Sequence, residues 1–111
     1  MPKYVFSYRA PAGDAPGSED ASAAWRAFIG GLGPALADIG MPVFERRGIG
    51  ETGAGTVLGG YSIVTADDLD AAVALAQGCP TIARGGGVEV GELTPLSAEE
   101  LAVAERAGAA A

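Results

Sequence analysis

Tyr8, Arg9, Trp25, Arg46, Arg47 and Glu51 are the residues whose types could act on a small molecule together. A guanidinium offers paired N–H donors to a carboxylate. Aromatic walls hold an apolar body, and a tyrosine or a carboxylate can move a proton. Brought to one cleft, at the sheet edge between the first helix and a hairpin, these groups would suit a small organic acid. The competing role is structural, with Tyr8 and Trp25 in a core or an interface and the arginines solvated at strand ends. The chain has no histidine, so neither a His–Asp pair nor a histidine-activated serine or cysteine can form. Cys79 is the single cysteine. It lies beyond a helix C-terminus, where the dipole disfavours a thiolate, and reads as a structural thiol. Zinc lacks its ligands here, because only carboxylates remain and they suit hard cations. Asp67, Asp68 and Asp70 cluster at a helix start, where capping and the dipole account for them. Gly48 to Gly53 spells G-x-G-x-x-G, but a strand follows where a dinucleotide site needs a helix. Gly85-Gly86-Gly87 lacks the lysine and hydroxyl residue of a phosphate loop. No cofactor is expected.

The elements that must position these residues follow from periodicity. Lys3 to Arg9 alternates as a strand, with Tyr4, Phe6 and Tyr8 on one face and Val5, Ser7 and Arg9 on the other. Trp25, Phe28, Ile29, Leu32, Leu36 and Ile39 form one stripe at helical spacing. The stripe keeps its phase across Gly30, Gly31, Gly33 and Pro34, and so predicts a kinked helix or two in register, from Ser18 to Gly40. Val43 to Arg47 reads as a second strand. Thr56 to Thr65 is a third, whose internal Gly59-Gly60 marks a bulge or a close backbone approach. A second helix spans Asp67 to Gln77, with Thr65 and Asp68 at capping-box spacing. Val88 to Leu93 is the fourth strand. Ser97 to Ala107 forms a tail helix opened by the capping signature Ser97-Ala98-Glu99-Glu100. The order β-α-β-β-α-β predicts an α+β, ferredoxin-like domain over 1–96, its antiparallel sheet covered by helices on one face, with a tail over 97–111.

Leu58 to Pro80 (LGGYSIVTADDLDAAVALAQGCP) and Gly85 to Leu93 (GGGVEVGEL), together with Trp25, resemble the YCII-related family, including its DGPF-motif branch. The resemblance runs from Lys3 to about Leu93. It implies two protomers packed sheet to sheet as a dimeric α/β barrel. Some members of that family are suspected of catalysis through a His–Asp pair, which this chain lacks. It departs in two further places. GIGETGAGTV stands at Gly48 to Val57 in place of the DGPF stretch, and VEV is followed by Gly91-Glu92-Leu93 rather than arginine-proline.

The chain has 111 residues, 49% of them apolar, and 14 acidic against 7 basic side chains give a net charge of −7. One domain with a packed core is expected. The acidic balance argues against nucleic acid and anionic membrane surfaces as partners. No stretch approaches the ~20 apolar residues of a membrane span, and the N-terminus lacks a signal peptide's apolar region. A lone cysteine fits a reducing compartment, the cytoplasm. The primary expectation is a cytoplasmic homodimer that binds a small metabolite in a cleft beside the dimer interface. Two alternatives stand: a cofactor-free oxygenase, decarboxylase or isomerase acting on a small organic acid, and a protein-interaction module using the acidic surface or the tail.

Overall fold

In the computed structural model, which describes residues 1–13 and 19–110, four antiparallel strands form one open sheet in the order β2-β3-β1-β4. The strands are β1 (Lys3–Pro11), β2 (Leu36–Asp38), β3 (Thr56–Thr65) and β4 (Gly87–Leu93). The helices are α1 (Glu19–Leu32), α2 (Leu69–Ala76), a single turn α3 (Pro80–Ala83) and the tail α4 (Ala98–Ala110). β3 lies between β1 and β2, and β1 lies between β3 and β4. The two β-α-β connections therefore interleave, and the fold is α+β.

Period-2 patterning sets the core. Tyr4, Phe6 and Tyr8 are buried on one face of β1, beside Ser62 and Val64 of β3. Phe28 and Leu32 from α1 and Ala72 and Ala76 from α2 close over that face, with Cys79. Small alanines on α2 let the helix approach the sheet closely. The opposite face carries Val5, Ser7, Tyr61, Ile63 and Leu93, as the register Val5↔Ile63, Ser7↔Tyr61 and Lys3↔Leu93 requires. No residue of α4 belongs to the core, and its described side chains are exposed except half-buried Ala102.

Four expectations need correction. The first helix ends at Leu32, not at Gly40. Gly33 takes a positive φ of 55° and Pro34 opens a 3-10 turn, so the helical phase of Leu36 and Ile39 is not used. The second strand is Leu36–Asp38, upstream of Val43 to Arg47, because those three residues find β3 as a hydrogen-bonding edge. The 42–47 segment meets β3 through one isolated bridge, Pro42 with Gly60, and the Val43 amide donates to the Gly59 carbonyl, which is too little to make a strand of it. Thr65 does not cap α2; its hydroxyl donates to the Ala35 carbonyl, and Asp68 caps instead by accepting from the Ala71 amide at 2.8 Å. The second helix is correspondingly shorter, Leu69–Ala76 rather than Asp67 to Gln77.

Other local readings hold. The β1–β3 register slips between Tyr8 and Arg9, leaving Gly59 as a bulge. A Cβ on Gly60 would stand 2.9 Å from the Met41 carbonyl, so the glycine pair serves both a bulge and a close approach. The tail helix opens with a reciprocal box, in which Ser97 Oγ accepts from the Glu100 amide and Glu100 Oε1 accepts from the Ser97 amide. No helix among the described residues is long and apolar enough to cross a membrane.

Candidate functional site

A cavity of about 420 Å³ opens where the β3 bulge, α1 and the segment after β2 meet. Its position follows from the glycine pair. Gly59 and Gly60 carry no side chain to fill the space above the bulge. Their backbone instead holds the next segment, through the Val43 amide donating to the Gly59 carbonyl at 3.1 Å. That segment supplies Met41, Phe44 and Arg46 as one wall, while α1 supplies Trp25 and β1 supplies Tyr8. Arg84, just past α3, lines it too.

Tyr8 is 6% exposed and buried Ser62 accepts its hydroxyl proton at 2.9 Å. Ser62 in turn donates to the Ile39 carbonyl at 2.7 Å. A carbonyl can only accept, so the direction of the whole chain is fixed. Burial raises the Tyr8 phenol above its ordinary range; the Ser62 hydrogen bond opposes this and Cys79 adds a small rise. Trp25 packs edge-on to Tyr8, ring centres 4.8 Å apart, and both meet Phe28 in the same geometry. Arg46 is tied down by Nη1, which donates to the Val43 carbonyl at 3.0 Å and the Leu58 carbonyl at 2.7 Å.

Of the six residues singled out in the sequence, Tyr8, Trp25 and Arg46 come together here. Arg9, Arg47 and Glu51 do not line the cavity. Arg9 lies on the far side of the bulge, where its guanidinium holds the glycine-rich loop through the Thr52 carbonyl and the Thr56 carbonyl and hydroxyl. Arg47 donates to the Arg46 carbonyl in solvent. Glu51 accepts from the Gly53 amide, a turn contact inside the G-x-G-x-x-G stretch, which leads into β3. Asp67, Asp68 and Asp70 gather only at the α2 start. Cys79, between α2 and α3, is buried, and burial pushes its thiol pKa up.

Sequence reading missed Met41, Phe44 and Arg84. Met41 and Phe44 are 71% and 69% exposed, and large apolar side chains left in solvent beside a cavity are the signal that marks them. Arg84 sits in a glycine-flanked turn with no periodic signal. It reaches the cavity because Thr81 anchors the turn, its hydroxyl donating to the Arg9 carbonyl at 2.8 Å.

A family profile for the YCII-related domain matches residues 14–97. The chain belongs to the YCII-related family. The match takes in the cavity-lining segments of α1, β3 and α3, and excludes β1 with Tyr8 and all of α4. A search of curated proteins finds no match for this YCII-related chain, and neither does a search of solved structures.

Proposed function

We propose that this YCII-related protein is a cytoplasmic homodimer that holds a small metabolite in the cavity of each protomer, beside the subunit interface. The observation that carries the reading is the cavity itself, about 420 Å³ with aromatic walls and few polar groups. That combination is typical of small-molecule sites. Assembly is supported by the open sheet face, where Val5, Ile63, Tyr61 and Leu93 stand without a covering core helix. Sheet faces of this composition gain by pairing, which would give a dimeric α/β barrel of two ferredoxin-like sheets. Tyr61 joins the two halves of the reading, since it stands on the open face and also borders the cavity. A partner covering that face would then help to enclose the ligand.

Native mass spectrometry of the gently purified protein tests this. The expected spectrum shows twice the 11.0 kDa chain mass, with a small added mass per chain. A bare monomer at micromolar concentration overturns the assembly and the enclosure that depends on it.

A further inference from the structure

We infer that the cavity selects a small organic anion, a carboxylate on an aromatic or otherwise apolar body, and that Arg46 receives the carboxylate. This rests on the small-molecule reading above and names its ligand class. Acidic residues outnumber basic ones 14 to 7 in the chain. Yet a permanent cation, Arg46, stands in the cavity wall among apolar and aromatic side chains. A guanidinium in the wall of a partly enclosed space attracts an anion.

Arg46 is prepared for the contact. Its Nη1 spends both protons on the carbonyls of Val43 and Leu58. Those acceptors come from the cavity wall and from β3, so the guanidinium plane is held from two sides. The Nε–H and Nη2–H remain, and among the described residues they have no acceptor. These two point the same way and match the oxygens of one carboxylate. A donor pair fixed before the ligand arrives loses little freedom on binding.

The remaining walls define the rest of the ligand. Trp25, Phe44, Met41 and Tyr61 offer apolar and aromatic surface, and the volume, about 420 Å³, lies at the small end of ligand pockets. Tyr8 has committed its hydroxyl proton to Ser62. Toward a ligand it can only accept, so an O–H or N–H on the ligand body would complement it and a second carboxylate would not. A monoanion is favoured over a dianion.

Amide-shift titrations of the isotopically labelled full chain with benzoate, benzamide and benzylammonium test the inference. Benzoate is expected to shift the amides of Ala10, Gly59 and Gly60, to bind at least about tenfold more tightly than benzamide, and to weaken as salt rises. In Arg46→Gln that preference should fall to within about twofold, with benzoate losing more affinity than benzamide. Arg46→Lys, which keeps the charge but loses the donor pair, should fall between. Equal binding of benzoate and benzamide to the wild type would overturn the anion selectivity and leave the small-molecule cavity standing. Binding of none of the three would overturn both. A preference that survives Arg46→Gln would remove Arg46 from the role.

Discussion

The Tyr8 hydroxyl sits in a chain whose direction is forced by its last member, the Ile39 carbonyl. Removing different links therefore has unequal consequences. Ser62→Ala strands the buried Tyr8 proton, where an unpaired group costs about 1–3 kcal/mol, and also frees the part-buried Ile39 carbonyl. Tyr8→Phe leaves Ser62 still donating to Ile39 and removes a bond worth about 0.5–1.5 kcal/mol. Urea denaturation should rank Ser62→Ala as the more damaging change, and the reverse order would refute the direction of the chain. Three buried groups also set the response to alkali, and Tyr4, whose phenol burial raises, is one of them. Burial raises both the Cys79 thiol and the Tyr8 phenol as well. The folded protein thus keeps protons that the unfolded chain releases above about pH 8.5 for the thiol and about pH 10 for the phenols. Bound protons in the unfolded state are then fewer, and stability falls as pH rises. Denaturation midpoints should be steady from pH 7 to about 8.5 and decline above it, and Cys79→Ala should delay the decline toward about pH 10.

At the scale of elements, the bulge in β3 is the device on which the site depends. It re-aims the strand after Gly60 and opens room for the 41–46 segment to lie alongside. Gly60 has a φ of 151°, and an added Cβ would press on the Met41 carbonyl at 2.9 Å and on Pro42 Cα at 3.3 Å. Both obstacles are backbone and cannot rotate away. Gly60→Ala should lower stability by about 1–3 kcal/mol, and should shift the amide resonances of Met41 and Val43 more than those of α2. If the loss is negligible and those resonances stay in place, the segment is not held by the bulge. α2, by contrast, depends on its own start. Its Asp68 cap is a local feature, and nothing in the cavity reaches it.

At the scale of the whole molecule, one sheet face is packed and the other is open. The helices over Tyr4, Phe6 and Tyr8 complete a core on one side only. In the proposed homodimer the second face is covered by its twin. A charge placed at the centre of that face should separate the subunits, because an unpaired carboxylate cannot be buried cheaply. Ile63→Glu is expected to convert a mass of two chains into one in native mass spectrometry, with the far-ultraviolet circular dichroism retained. A dimer unaffected by Ile63→Glu would mean that the subunits meet elsewhere.

Much of this protein was legible in its sequence. Alternation gave β1 its two faces, β-branched and aromatic content gave β3 its bounds at Thr56 and Thr65, and the Ser97 and Glu100 spacing gave the tail its cap. These are local signals, written in periods of two and 3.6 and in the reach of short polar side chains. Of the six residues that the sequence singled out, Tyr8, Trp25 and Arg46 meet at the cavity, while Arg9, Arg47 and Glu51 serve the loop and the solvent. The tertiary structure decided what no local pattern contains. Leu36–Asp38 became a strand because β3 presented an unpaired edge, although its spacing continued the helix before it. Arg84 became a cavity residue because Thr81 is pinned to β1 across 72 positions of sequence. Pairing partners and cavity walls are relations between distant segments, and only the fold brings those segments together.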